Sequence, residues 1–264
     1  MEIGNWYVNP ELQLEEIERR RRAAHEWATS IHKVVEKTND VEAQDLLNGV
    51  LSGIAVGLPD PERHLIPVQG PEQPTVVLVP LFADDADIND TTRLIMNPNS
   101  SQAARYTENR PGRIYFNAEI ELSPLLKGIL MLHEAKHAEI YEANRFREGT
   151  ELDHWHEEVA TFEFEFRLLQ ELCGKQYKDL MEKEVQRFIE EYDDKDGRGG
   201  TLPEPRSIDM TVVDEVFGVI NSERERHLRN SIVWMDITFR MFDKIYPDTS
   251  GRDKAKFLRQ LYTQ

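Results

Sequence analysis

Apolar side chains recur every three or four positions over most of the chain, which is the spacing of a helix with one buried face. The pattern predicts a long first helix that begins at the capping pair Asn9 and Pro10 and runs to about residue 39. A shorter second helix is predicted to follow and to end at Gly57. From residue 123 onward the chain is mostly helical, with predicted helices over residues 123–149, 153–174, 175–193, 207–220 and 222–246 and a last short one.

Strand-like patterning is confined to the middle of the chain. Residues 75–82 are rich in β-branched side chains and predict a strand, and Pro80 favours an edge position for it because proline cannot donate to a ladder. Residues 93–96 and 113–118 are two shorter strand candidates. The sequence therefore predicts an α+β fold that is predominantly helical and contains a small sheet.

A proline-rich stretch suggests how the chain is divided. Residues 59–74 contain five prolines and a glycine, which predicts a loop rather than a helix interior or a central strand. We therefore expect an N-terminal helical subregion with this loop over residues 1–74 and a second domain over residues 75–264.

Charge and cysteine content narrow the function. The 264 residues include 32 Lys and Arg against 49 Asp and Glu, a formal net charge of −17, which argues against nucleic acid and anionic membranes as partners. No stretch has the apolar length of a membrane span or the pattern of a secretory signal, so a cytoplasmic location is expected. With Cys173 as its single cysteine, the chain can build a metal site only from histidines and carboxylates.

The predicted helix over residues 123–149 contains one such set, His133, Glu134 and His137 in the pattern H-E-x-x-H. Residues four apart share a helix face, so both imidazoles can reach one ion about 2 Å from each ring nitrogen, with the glutamate beside it. The histidines interrupt an otherwise apolar stripe that faces the core. Burying an imidazole without a partner is costly, and a bound metal would provide a partner for the ring nitrogens. The alternative is a pair of histidines at the edge of the core, hydrogen-bonded to neighbouring carboxylates.

A catalytic zinc takes a third protein ligand and leaves a position for water. Glu157 and Glu158 open the next apolar-patterned helix and are the candidates. On a helical wheel Glu158 borders the stripe of Val159 and Phe162, whereas Glu157 lies with Phe164 and Leu168, so the wheel does not decide between them.

Over about residues 113–172 the chain resembles the gluzincins, zinc peptidases in which H-E-x-x-H on one helix is completed by a glutamate on the next, often as E-x-x-A. Here E-x-x-A spans Glu157 to Ala160, twenty residues after His137. The resemblance implies a zincin-like sheet packed on the metal helix, a helical C-terminal part, and a zinc-dependent peptidase acting on a peptide or protein. It implies Glu157 as third ligand and Glu134 as general base.

The same resemblance suggests further site residues. The segment RIYFNA before the metal helix is similar to the edge strand on which zincins bind an extended substrate, which would place Tyr115 and Asn117 at the cleft. Oxyanion donors would come from Tyr141, His154 or His156. Asp153 or Glu163 would orient a histidine ligand.

A second hypothesis from another functional class is a metal-binding or helical interaction protein whose H-E-x-x-H segment is structural. Metal content and the effect of replacing Glu134 separate the two hypotheses, because only a hydrolase needs the glutamate for activity.

Overall fold

A computed structural model describes residues 14–59, 66–69, 74–98, 100, 102–108, 111–144, 151–192, 208–248 and 250–263. The chain divides into two compact units, Met1–Arg145 and Phe146–Gln264. The division between these units lies between residues 145 and 146. The boundary predicted at residues 74 and 75 lies within the first unit, where strands on both sides of it pair in one sheet.

The first unit is a mixed sheet with helices. Its elements in chain order are α1 (Leu14–Val35), α2 (Val41–Asn48), β1 (Ile54–Leu58), β2 (Ile66–Gln69), β3 (Val76–Leu81), α3 (Asp90–Met96), β4 (Ala104–Thr107), β5 (Gly112–Asn117) and α4 (Pro124–Asn144). The strand order is β2-β1-β3-β5-β4, with β1, β3 and β5 parallel and the outer strands β2 and β4 antiparallel to their neighbours. The predicted α+β class with a small sheet is confirmed.

Strand β3 lies at the centre of this sheet, and all six of its residues are buried. The prediction that Pro80 marks an edge strand is therefore wrong. Pro80 stands next to the last residue of β3, and its carbonyl oxygen accepts a hydrogen bond from the Arg20 guanidinium at 2.5 Å. The missing amide thus costs the ladder at most one bond near the end of the strand.

Three other local predictions are wrong. The second helix ends at Asn48 and not at Gly57, and Ile54–Leu58 form strand β1. The prediction failed because a short, continuous apolar run has no periodicity that distinguishes a buried strand from a helix. Residues 93–96 belong to α3, which begins because the Asn89 side chain accepts the amide of Thr92 at 3.0 Å. Part of the predicted loop, residues 66–69, forms the edge strand β2.

Helix α4 packs against α1 and the β4–β5 side of the sheet. Gly128 allows a close approach, since a Cβ atom there would meet the backbone of Ser30 and lie 2.5 Å from Val34 Cγ2. An ion pair between Lys127 and Glu26 joins the same helices. The helix that carries the histidines is therefore held by backbone packing within the first unit.

The second unit is helical in the residues described. It contains α5 (Glu151–Glu191), α6 (Thr211–Phe217), α7 (Glu223–Ile245) and α8 (Gly251–Thr263). Gly174, with φ of 65°, interrupts α5 at the predicted boundary between two helices. One core combines α5, α7 and α8 through Val159, Phe162, Phe166, Met235, Phe239, Ala255 and Leu258. None of the described helices combines the length and the apolar character that a membrane span requires.

Candidate metal centre

The predicted H-E-x-x-H helix is confirmed as α4. It begins at Pro124, which suits the first helical position, and the Ser123 hydroxyl accepts the amide of Leu126 at 3.4 Å. The next turns bury Leu126 and Ile129 before the chain reaches His133. The helix thus presents His133 and His137 one turn apart.

The two imidazole rings lie edge to face, with ring centroids 5.1 Å apart and an interplanar angle of 68°. His137 is buried, and His133 is partly buried. Burying imidazole nitrogens is unfavourable unless they are bound by hydrogen-bonding partners or a metal.

A carboxylate completes this pair. One ligand atom each from His133, His137 and Glu158 lie within 4.8 Å of one another, and this is the group of metal-ligating side chains found among the described residues. Two imidazole nitrogens and a carboxylate oxygen suit zinc and other divalent transition metals, and three protein ligands leave a position open. These residues can therefore hold a metal ion.

The carboxylate in this group is Glu158, whereas the resemblance implied its neighbour Glu157 as third ligand. Glu158 is partly buried, and its Oε1 lies 3.7 Å from Nε2 of His154 one turn earlier. The backbone oxygen of Glu157 accepts the Thr161 hydroxyl at 2.8 Å.

Glu134 lies between the histidines in sequence and is buried, with 8% of its surface exposed. Its Oε2 accepts the main-chain amide of Tyr106 in β4 at 2.5 Å. A buried carboxylate is costly without such donors, and an amide stabilises its charged form. The sequence pattern had given no signal for Tyr106, because the contact joins residues 28 positions apart.

Lys136 puts a cation inside the motif, and two carboxylates hold its ammonium group. It pairs with Glu139 at 2.5 Å and with Glu42 of α2. Burial lowers the pKa of Lys136, but the hydrogen bonds and charges of Glu139 and Glu42 outweigh it and leave that pKa above its ordinary value. The lysine therefore stays charged and ties α4 to α2.

The edge position expected for Tyr115 and Asn117 is wrong. They lie in β5, which has β3 on one side and β4 on the other. Tyr115 packs in the apolar core of the sheet, while the Asn117 oxygen accepts the amide of Glu119 at 2.9 Å. Both side chains are buried, and the edge strand on this side of the sheet is β4.

The remaining predicted site residues are spread over α4 and α5. Tyr141 lies one turn after His137 and is partly buried, with its ring 6.2 Å from that of Tyr106. His154 and His156 are exposed. Glu163 pairs with Lys254 at 2.8 Å, and the Asp153 side chain lies outside the described residues.

Comparison of the chain with protein-family models, with curated proteins and with solved structures found no match. The histidine pair on α4, Glu158 and the buried Glu134 are therefore the observations from which a function can be argued.

Proposed function

We propose that the protein is a zinc-dependent hydrolase that cleaves peptide bonds, with His133, His137 and Glu158 as metal ligands and Glu134 as general base. The observation that carries the proposal is the group formed by the two histidines and Glu158, with Glu134 adjacent to the first histidine. The resemblance of the motif to the gluzincins supports peptides as substrates.

The chemistry follows from the residue types. A zinc ion held by His133, His137 and Glu158 would lower the pKa of a water molecule and polarise a carbonyl group. Glu134 would accept the proton as the water oxygen bonds to the carbonyl carbon. It would return that proton to the nitrogen as the carbon–nitrogen bond breaks, so that atoms and charge balance.

Metal content tests the ligand set directly. We expect close to one zinc per chain by elemental mass spectrometry after purification and loading, and loss of that zinc in His133→Ala. The matched pair Glu158→Ala and Glu157→Ala separates the two carboxylates: only Glu158→Ala should weaken zinc binding. Full zinc retention in Glu158→Ala, or no zinc in the wild-type protein, would refute the ligand assignment.

Activity is tested with the same zinc-loaded preparations and a fluorescence-quenched peptide library. Glu134→Gln keeps the shape of the side chain but not its basicity, so it should retain zinc and lose at least about a hundredfold in rate. Wild-type protein that holds zinc but cleaves no member of the library would contradict a peptidase.

A non-catalytic metal protein is the second candidate, and one observation favours it. Glu134 is buried and already accepts the Tyr106 amide, as expected of a carboxylate with a structural role. In that case Glu134→Gln would lower thermal stability, and no hydrolysis would be found in the zinc-loaded wild type.

A further inference from the structure

Strand β4 presents one row of main-chain groups to β5 and another row away from the sheet. The Asn117 amide donates to Ala103 O at 2.9 Å, so the pair formed by these two residues is hydrogen-bonded. Bonded and non-bonded pairs alternate along antiparallel strands. The register pairs Tyr106 with Ile114, three positions along, and the amide of Tyr106 therefore points away from β5.

This outward amide is the one that Glu134 accepts at 2.5 Å. Both partners belong to well-packed elements. The ring of Tyr106 lies over Gly112, where a Cβ atom would be 2.7 Å from Tyr106 Cε2, and it also contacts the ring of Tyr141. On the other side, Gly128 seats α4 against α1. The hydrogen bond thus joins two packed elements, a strand and a helix.

We propose that the main-chain amide of Tyr106 is a positioning group for Glu134. It holds one oxygen of the carboxylate and so restricts the rotation of the side chain, on the helix that carries the histidine pair. This inference rests on the proposed function for its catalytic consequence, although the contact itself exists without metal or substrate. A general base works only within hydrogen-bond reach of the proton that it abstracts, so a carboxylate free to rotate would be a poorer base.

The contact can be measured without any activity. We expect the Tyr106 amide to exchange slowly with deuterium in the wild-type protein and much faster in Glu134→Ala, by NMR on the metal-free protein. The Ile114 and Asn117 amides of β5 are internal controls that should keep their protection in both proteins. Equal exchange of the Tyr106 amide in wild type and Glu134→Ala would overturn the inference.

The functional effect is tested by replacing the amide with an ester, using the α-hydroxy acid of tyrosine at position 106. This removes the donor and keeps the ring. The same replacement at Arg105 is the matched control, since that amide faces β5 and not Glu134. Tyr106→Pro is a second variant, tolerated on an outward-facing edge position.

We expect the ester at position 106 to lower kcat on the quenched peptides by roughly tenfold to a hundredfold. KM and zinc content should stay within about twofold, and the Arg105 ester should lower stability without lowering kcat. An unchanged kcat in both Tyr106 variants would overturn the positioning role. If the zinc-loaded wild type has no activity, the proposed function fails, and amide exchange alone decides whether Tyr106 holds Glu134.

Discussion

Replacing Gly128 by alanine tests how α4 is held against α1. The added Cβ atom would lie 2.5 Å from Val34 Cγ2 and 2.9 Å from the Ser30 carbonyl carbon, and still closer to the Ser30 oxygen. Comfortable contacts between carbon atoms are about 3.5 to 4.0 Å, so the two helices would have to separate by about 1 Å. Because the clash includes backbone atoms of α1, a change of rotamer cannot relieve it.

The size of the effect follows from two opposing contributions. Alanine is favoured over glycine in a helix by about 1 kcal/mol. Overpacking costs about 1 to 3 kcal/mol, and the upper end applies because the separation also loosens Trp27 and Ile31, which α1 buries almost completely. We therefore expect the free energy of unfolding to fall by about 2 kcal/mol in Gly128→Ala.

The assay is urea denaturation followed by far-ultraviolet circular dichroism, with the slope compared between variants. Gly251→Ala is the matched control, because a Cβ atom there meets nothing within 4 Å. It should change stability by less than about 0.5 kcal/mol. A Gly128→Ala protein as stable as the wild type would show that α4 and α1 do not approach as closely as the structure has them.

Two further predictions concern buried polar groups. Arg20→Ala should lower the free energy of unfolding by about 3 to 5 kcal/mol in urea denaturation, because Asp85 stays buried and loses its two hydrogen bonds of 2.9 and 3.0 Å to the guanidinium. Arg93→Ala, which removes an exposed ion pair, should lower it by less than about 1 kcal/mol. Equal losses in the two variants would refute the assignment of a buried ion pair. Burial raises the pKa of the Cys173 thiol from 9.0 to about 12, so in the native protein it should react slowly with Ellman's reagent at pH 8. Fast labelling of the native protein would contradict the burial of the thiol. Because the pKa of Cys173 is higher in the folded than in the unfolded chain, the contribution of this thiol to the free energy of unfolding is present below pH 9 and is lost as the pH rises from 9 to about 12.

The parts of the fold that sequence patterning predicted are those whose signals are local. Helix α4 and the break of α5 at Gly174 depend on residues within a turn or two of each other, and glycine adopts the positive φ that ends a helix. The central position of β3 could not be read in this way. It depends on pairing with β1 and β5, and the one local signal, Pro80, pointed to an edge.

Strand β4 shows the same limit at the candidate site. Its four residues, Ala104–Thr107, are too few for an alternation of apolar and polar side chains to indicate a strand, and pairing with β5 defines it. The edge position was therefore assigned to the better-patterned β5, together with Tyr115 and Asn117. The Tyr106 amide was missed for a related reason, because a main-chain donor has no signature in the sequence.

Sequence patterning could not choose between Glu157 and Glu158 as a candidate ligand, because α5 is buried on more than one side. Phe162 and Phe166 pack with α7 and α8, while Phe164 and Leu168, on another face, are fully buried. An apolar pattern with two buried faces does not say which face of the helix a neighbouring carboxylate shares. The histidines needed no such information, since both lie on α4. Paired replacement of Glu157 and Glu158 therefore tests the one part of the proposed ligand set that depends on tertiary structure alone.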